Sequence, residues 1–394
     1  MSGAGKITPP VWVGAMLYRA RFRGILYQVL VVGGVLALGW YLVHNTLANL
    51  AARGIATGLG FLGQEAGFDI GEGVIAYSAA DTYARALVVG ILNTLKVAVL
   101  GIAFASAIGL AVGIARLSRN WLVARLATFY VEAVRNVPLL LQLFVWYGIV
   151  TALPVPRQAI DVGFGVFLSN RGLKLPVPLW HDSYWPAVLV FALVVAGTFM
   201  LRRWAVARLH RTGHPFPWLS AGLGGMVGLP LLALLVVGAP VEWSIPELRG
   251  FNFQGGIDLS PEFAALLAGL SVYTAAFIAE IVRSGILAVP HGQTEASLSL
   301  GLSRAKTLRL VVLPQALRVI VPPLTSQYLN LLKNSSLAVA IGYPDLISVA
   351  NTAINQTGQA VEGVALTMAV YLVVSLSLSL LMNWYNAKVA LVSR

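Results

Sequence analysis

Long runs of apolar residues, separated by short polar segments, recur along this chain of 394 residues. Most of the runs approach or exceed the roughly 20 residues that an α-helix needs to cross the hydrocarbon core of a bilayer. We therefore predict an all-α integral membrane protein with about eight transmembrane helices. The predicted spans are 25–44, 87–115, 128–152, 187–201, 218–237, 263–287, 318–341 and 365–386.

Prolines interrupt two of these spans. Pro138 stands inside the third span, where its missing backbone donor predicts a kink. The pair Pro322-Pro323 predicts a break in the seventh span. The segment 153–186 is rich in proline and glycine, and the segment 239–262 holds four acids against Arg249 alone, so we predict external loops for both.

Basic residues collect in alternate connecting segments. Only 11% of the residues are charged, against about 25% in a soluble domain, and the net charge is +12. Segments rich in lysine and arginine lie in the cytoplasm by the positive-inside rule. On the eight-span map one side holds Lys6, Arg19, Arg21, Arg23, Arg116, Arg119, Arg125, Arg202, Arg203, Arg208, Arg211, Arg304, Lys306, Arg309, Lys388 and Arg394. This distribution predicts cytoplasmic N- and C-termini, and it explains the basic balance without a nucleic-acid partner.

A short polar segment lies between the sixth and seventh spans. Glu295 and Ala296 stand in a helix-forming run, and Gly301 tolerates the left-handed backbone that is common just past a helix end. Ser303 is suited to cap a second helical run, until Pro314 interrupts the backbone hydrogen bonds. The segment is predicted to fold as helix, break, helix.

The spacing in this segment resembles the cytoplasmic coupling loop of permease subunits of ATP-binding-cassette (ABC) importers. The family pattern is E-A-A, three residues, Gly, nine residues, an aliphatic residue, one residue, Leu-Pro. The corresponding residues here are Glu295-Ala296-Ser297, Gly301, Val311 and Leu313-Pro314, with Ser297 replacing Ala and Val311 replacing Ile. The resemblance implies that a partner ATPase docks on Glu295, Ala296, Ser297, Gly301, Leu313 and Pro314.

Five spans, the second, third, sixth, seventh and eighth, resemble the core of polar amino-acid permeases of the histidine/glutamine type. The matching stretches are Asn93-Thr94-Leu95, residues 135–140, residues 273–283, residues 290–293 and residues 333–337. An added N-terminal span and an insertion at 153–262 depart from that core. Both departures make the chain most similar to the general L-amino-acid permeases and to the glutamate/glutamine/aspartate/asparagine permeases of bacteria.

The resemblance implies a division of the chain. It begins with a cytoplasmic N-terminus at 1–24, an extra transmembrane helix at 25–44 and a periplasmic loop at 45–86. A permease transmembrane domain follows at 87–386. Within that domain the insertion 153–262 carries two additional helices, and 287–317 forms the cytoplasmic coupling loop.

The chain lacks a G-x-x-x-x-G-K-[ST] phosphate-binding loop, so we expect ATP hydrolysis to occur elsewhere. The resemblance implies a non-enzymatic transport subunit of the bacterial inner membrane, with ATP and Mg on two cytoplasmic ATP-binding subunits. It also implies a second homologous permease in a heterodimer and a periplasmic amino-acid-binding protein. No metal site is predicted, because His210 and His214 have no third ligand nearby in sequence.

Polar residues inside the spans are candidates for the substrate path, because ionisable groups are costly in a bilayer. The candidates are Lys96, Glu280, Asn330, Lys333, Asn334 and Ser335. Two alternatives stay open. Glu280 and Arg283 stand three residues apart and suit a structural ion pair, and Lys333 is long enough to extend its amine toward the membrane surface.

An alternative function is that of an ion-coupled secondary amino-acid transporter or channel. Its broken helices would then hold an ion site, as in transporters built from inverted repeats. No inverted repeat is visible between the two halves of the sequence, which favours the ABC permease.

Overall fold

The computed structural model describes residues 20–52, 54, 57–238 and 242–389. Most of the predicted cytoplasmic N-terminus, 1–24, and the C-terminal Arg394 lie outside these residues. The described helices are α1 (Ala20–Ala52), α2 (Tyr83–Ala115), α3 (Trp121–Arg135), α4 (Leu139–Thr151), α5 (Trp185–Thr212), α6 (Trp218–Val237), α7 (Pro261–Leu287), α8 (His291–Ser299), α9 (Arg304–Thr307), α10 (Leu313–Asn334), α11 (Leu346–Thr357) and α12 (Ala360–Val389).

The prediction of a helical membrane protein with about eight spans is confirmed. Across the described residues, seven helices are long and apolar enough to cross a membrane, and the bent pair of α3 and α4 makes an eighth candidate. The fourth predicted span, 187–201, is the N-terminal part of a longer helix, because α5 extends from Trp185 to Thr212 and includes the arginines that we placed in a loop.

The third predicted span is sharply divided. The axes of α3 and α4 differ by 107° at the break before Pro138. Proline disfavours helical backbone in the preceding residue and donates no hydrogen bond, which ends α3. The Gln142 amide donates to the carbonyl oxygens of Val134 at 2.8 Å and Val137 at 2.9 Å, and so satisfies acceptors that the break exposes.

The seventh predicted span breaks at a different position from the one expected. Pro322 and Pro323 lie inside the uninterrupted helix α10, so the predicted break at this pair is wrong. Membrane helices tolerate proline where neighbouring groups satisfy the freed carbonyls. The irregular stretch instead follows Asn334, where the chain continues as a 3₁₀ helix over Ser335–Ile341.

The described residues of the two segments predicted as external loops contain eight short strands. They are β1 (Ile160–Gly163), β2 (Val166–Ser169), β3 (Gly172–Leu175), β4 (Val177–Pro178), β5 (Trp243–Ser244), β6 (Glu247–Arg249), β7 (Asn252–Gln254) and β8 (Ile257–Leu259). One sheet has the order β1-β2-β3-β8, and all its pairings are antiparallel. Lys174, only 2% exposed, faces Asp258 across β3 and β8 and forms an ion pair with it. The sheet therefore joins the two ends of the insertion.

The chain forms two compact units. The first contains the N-terminal part through Lys96 and the C-terminal part from Pro344. Its core brings Phe61 and Ala66, from the segment between α1 and α2, against Tyr83 and Val349. The predicted periplasmic loop is thus ordered by packing on α2 and α11.

The second unit, Val97–Tyr343, is built around helix α7. Its core combines Leu143 of α4 with Phe263, Leu266 and Leu270 of α7 and with Tyr343. These side chains pack the irregular stretch after α10 against α7.

Two glycines of α2 allow it to approach α7 closely. A Cβ atom at Gly109 would lie 2.6 Å from Cβ of Ile278, and one at Gly113 would lie 2.8 Å from the Ala279 carbonyl oxygen. Their spacing is G-x-x-x-G, which brings helix backbones together in membranes.

We expect Gly113→Ala to destabilise the protein. The new methyl overlaps the backbone of α7, and overpacking of this kind costs about 1–3 kcal/mol. The unfolding temperature of the purified protein in detergent should therefore fall. Gly148→Ala in α4 is the matched control, because no heavy atom lies within 4 Å of its Cβ position. Helix propensity alone predicts a gain of up to about 1 kcal/mol there. Equal shifts in both variants would contradict the close approach.

Candidate coupling segment and path residues

Helix α8 ends in a tight corner formed around Gly301. Gly301 has a φ of 81°, and its N–H donates to the Leu298 carbonyl at 2.9 Å. The Leu302 N–H donates to the Ser297 carbonyl at 3.2 Å. This pair of bonds is the Schellman arrangement, which favours glycine at the left-handed position. The predicted helix end at Gly301 is confirmed.

The second half of the segment is a helix that widens once. Ser303 Oγ accepts from the Lys306 N–H at 3.4 Å, as predicted for the cap of α9. A π turn then covers Leu308–Val312, and the Leu313 N–H donates to Leu308, five residues back. Pro314 is the second residue of α10, and the wider π turn before it accommodates a residue that donates no backbone hydrogen bond. The predicted interruption at Pro314 is therefore a local widening that does not end the helix. Helical backbone therefore continues from Arg304 to Asn334.

The predicted docking residues divide by exposure. Ser297 is buried, and its hydroxyl donates to the Gln293 carbonyl at 2.6 Å, so the serine at this motif position stabilises the segment itself. The other five are exposed: Glu295, Ala296, Gly301, Leu313 and Pro314. The side chain of Glu295 is 68% exposed and lies 3.0 Å from His291 Nδ1.

Apolar side chains are exposed beside these residues. Leu300 is 83% exposed, and Leu298, Leu308 and Leu310 are exposed as well. Leucines grouped around an exposed carboxylate are typical of a surface that another protein covers.

The coupling segment, residues 288–312, connects two helices that touch. A Cβ atom at Gly285 in α7 would lie 2.3 Å from Cγ1 of Ile320 in α10. The two helices that the segment connects therefore pack closely beside it.

Glu280 is held in an ion network near the same end of α7. Arg283 Nη2 lies 2.6 Å from Glu280 Oε1, and Arg116, which follows α2, also pairs with Glu280. The side chain of Arg116 is only 10% exposed. The geometry therefore matches the structural ion pair that the spacing of Glu280 and Arg283 suggested.

Lys96 lies in the first unit, where it pairs with Glu72 of the segment between α1 and α2. The neighbouring Asn93 amide donates to the Glu72 carbonyl at 2.8 Å and to the Pro344 carbonyl at 2.9 Å. Thr94 Oγ1 accepts from the Leu346 N–H at 3.1 Å. The sequence Asn93-Thr94 thus fixes the segment between α1 and α2 and the turn before α11 to helix α2.

Asp345 in that turn caps α11, with Oδ1 accepting from the Ser348 N–H at 2.8 Å. Burial raises the pKa of the Asp345 carboxyl to about 7, although backbone hydrogen bonds oppose the shift. The carboxyl therefore gains and loses a proton near neutral pH.

The remaining path candidates lie together at the end of α10. Asn330, Lys333 and Asn334 share one helix face by their spacing. Asn330 and Lys333 are exposed, Asn334 is half-buried, and the buried Ser335 hydroxyl donates to the Leu332 carbonyl at 2.7 Å. Lys333 lies about 30 Å along α10 from the coupling segment, at 1.5 Å per residue. Glu280 lies only about 10 Å from it along α7. The structure thus groups the α10 residues and separates Glu280 from them.

Sequence reasoning missed three contributors to these sites: Arg116, Gln142 and the Gly109/Gly113 pair. The G-x-x-x-G spacing was a signal visible in the sequence. Arg116 pairs with Glu280, which is 164 positions away in the chain, and Gln142 contacts Val134, which is 8 positions away. No local pattern links either pair.

These features define a multi-pass membrane protein with an exposed helix, corner and helix between α7 and α10. Residues 215–391 match the family described as "Binding-protein-dependent transport system inner membrane component". The General L-amino acid transport system permease protein AapQ of Rhizobium johnstonii is 49% identical over 379 residues, covering 96% of this chain and 95% of that protein. The Putative amino-acid ABC transporter permease protein YhdX of Escherichia coli is 51% identical over 374 residues, covering 94% and 95%.

The Glutamate/glutamine/aspartate/asparagine transport system permease protein BztB of Rhodobacter capsulatus is 41% identical over 413 aligned positions, covering 96% of each protein. This chain therefore belongs to the family of binding-protein-dependent transport system inner membrane components. The family and the apolar helices make it a multi-pass transport subunit of the inner membrane.

We expect Glu280→Gln to destabilise the second unit. The change leaves Arg116 and Arg283 facing each other without a carboxylate, and Arg116 is nearly buried, so a loss of about 1–3 kcal/mol follows. The unfolding temperature of the purified protein measures the effect. Adding Arg116→Gln should cost less than the two single losses combined, because both remove one interaction. Strictly additive losses would contradict the network.

Proposed function

We propose that this chain is the permease subunit of an ABC importer that carries L-amino acids from the periplasm to the cytoplasm. The observation that carries the proposal is the exposed helix, corner and helix at 291–312, in which Glu295 and the leucines are presented beside Gly301. The amino-acid substrate is inferred from the names of AapQ, YhdX and BztB.

Energy for transport comes from partner subunits in this proposal. Two cytoplasmic ATP-binding subunits bind ATP and Mg, and one of them holds the coupling segment of this chain. A second, homologous permease completes a heterodimer, and a periplasmic amino-acid-binding protein delivers the substrate. Closure of the ATPases displaces the coupling segment, and the touching helices α7 and α10 tilt with it.

The proposed division of the chain follows the sequence analysis. Residues 1–24 are cytoplasmic, 25–44 form an extra membrane helix and 45–86 lie in the periplasm. Residues 87–386 are the permease domain, interrupted by the insertion 153–262, with the coupling loop at 287–317. Both termini lie in the cytoplasm.

We place the substrate path at the end of α10. An amino-acid zwitterion needs fixed partners of both signs and amides, because it loses part of its hydration in the membrane. Among the described residues, Lys333 has no carboxylate within ion-pair distance, and Asn330 and Asn334 lie beside it. Ser335 supports the helix end. Lys96 and Glu280 remain path candidates of lower rank, because each is engaged in an ion pair.

The coupling segment provides the first test. The chain has no cysteine, so a single cysteine at residue 299 is a unique label. An impermeant maleimide should reach it only from the cytoplasmic side. Glu295→Ala should lower ATP-dependent uptake in proteoliposomes by about tenfold or more, because an interfacial charged hydrogen bond contributes about 1.5–3 kcal/mol.

Ser299→Ala is the control on the same helix and should change uptake by less than about twofold. Labelling from the periplasm, or full uptake by Glu295→Ala, would overturn the docking role. Uptake by the purified single chain under an ion gradient, without ATPases, would favour the ion-coupled alternative.

The proposed path provides the second test. Lys333→Gln should raise the KM for amino-acid uptake about tenfold or more, because the substrate carboxylate loses a charged partner. Lys333→Arg retains the charge and should recover most of the affinity. The exposed position predicts little change in unfolding temperature for either variant. A KM that is unchanged in Lys333→Gln would remove Lys333 from the path.

A further inference from the structure

The inserted hairpin of α5 and α6 packs mainly on itself. Its buried residues are Ala187, Ala205 and Gly222, and a Cβ atom at Gly222 would lie 2.5 Å from Cγ2 of Thr198. Large apolar side chains remain exposed on its other faces, at Leu189, Phe199, Met200, Leu235 and Val236. In a multi-pass membrane protein, these faces adjoin acyl chains.

Arginines and aromatic rings meet where α5 turns into α6. The Arg208 guanidinium lies 5.4 Å from the Trp204 ring centre and 6.0 Å from that of Phe216. Trp204 and Phe216 contact each other edge to face at 5.3 Å. The Arg202 guanidinium lies 5.6 Å from the Trp218 ring centre. We call these five residues the arginine–aromatic cluster.

The positive charge of the cluster is not neutralised within its own segment. No Asp or Glu occurs between residues 183 and 241. Among the described residues, neither Arg202 nor Arg208 forms an ion pair with a carboxylate. Both side chains are exposed, so a ligand can reach them.

The aromatic contacts place each guanidinium within cation–π distance of a ring. Because both arginine side chains are exposed, their N–H donors remain open to a ligand. Paired N–H donors match the two oxygens of a phosphodiester. An apolar helical surface adjoins these donors, as the acyl chains of a phospholipid require.

We propose that the arginine–aromatic cluster binds the phosphodiester headgroup of an anionic phospholipid. The acyl chains then lie along the exposed apolar faces of α5 and α6. The site goes beyond the transport function proposed above, and it gives the inserted hairpin a role in lipid binding.

Membrane topology alone does not require arginines to contact aromatic rings. The positive-inside rule depends on positive charge only, and Arg203 and Arg211 on the same helix also provide positive charge. In the described part of the chain these two arginines contact no aromatic ring. They therefore provide a matched control of equal charge on the same helix.

Lipid binding to the purified, delipidated full-length protein tests the site. Native mass spectrometry would follow titrations with phosphatidylglycerol, with phosphatidylcholine of the same chains, and with inorganic phosphate as a competitor. We expect phosphatidylglycerol to bind at least about tenfold more tightly than phosphatidylcholine, a difference of about 1.4 kcal/mol. R202A/R208A should lose that preference, while R203A/R211A should change the affinity by less than about twofold.

R202K/R208K keeps the charge and the topology but loses the planar donors, so its affinity should fall about threefold to fivefold. It also keeps the test decisive if the alanine pair fails to fold. If R202A/R208A and R203A/R211A lost affinity for phosphatidylglycerol equally, positive charge alone would explain the binding. That result would overturn the proposed site. Competition by inorganic phosphate at the same concentration as the lipid would show a free-phosphate site and overturn the lipid assignment. Amino-acid uptake is measured separately, so failure of lipid binding leaves the transport function standing.

Discussion

Close backbone packing against α7 is the constraint on which the second unit depends. Apolar side chains gain little by leaving lipid for each other, so membrane helices associate through short-range contacts and hydrogen bonds. Glycines allow the helix backbones to approach closely, at Gly109 and Gly113 on α2 and at Gly285 on α7. The Tyr130 hydroxyl adds a hydrogen bond of 2.6 Å to the Val272 carbonyl of α7. The coupling segment directly follows the C-terminal end of α7, so its position depends on the contacts that α7 makes.

Polar side chains within the helices occur in two kinds of environment, one paired inside the chain and one exposed. Glu280 is neutralised by Arg283 and Arg116, and an interaction of this kind in a partly buried place holds helices in register. Lys333 and Asn330 at the far end of α10 are exposed in the single chain. The first arrangement is complete within the chain, whereas the second is suited to a ligand or a partner subunit.

The segment between α4 and α7 begins and ends at neighbouring positions in the fold. Strands β1 to β3 follow α4, strand β8 precedes α7, and the pairing of β3 with β8 brings these positions together. The ion pair of Lys174 with Asp258 strengthens that pairing in a place where Lys174 is buried. An insertion closed in this way adds a hairpin and a small sheet without separating α4 from α7.

The number of spans, the helix, corner and helix at 291–307 and the family follow from the sequence alone, because apolar length and local spacing are encoded in neighbouring residues. The cap at Ser303 and the corner at Gly301 depend on backbone geometry within a few residues, and they were predicted at the right positions. Helix α10 continues through Pro322-Pro323 because packing in the folded chain decides whether the freed carbonyls are satisfied. Only the tertiary structure pairs Arg116 with Glu280, Gln142 with the end of α3, and β3 with β8. Each of these contacts joins residues whose proximity arises from folding rather than from local sequence.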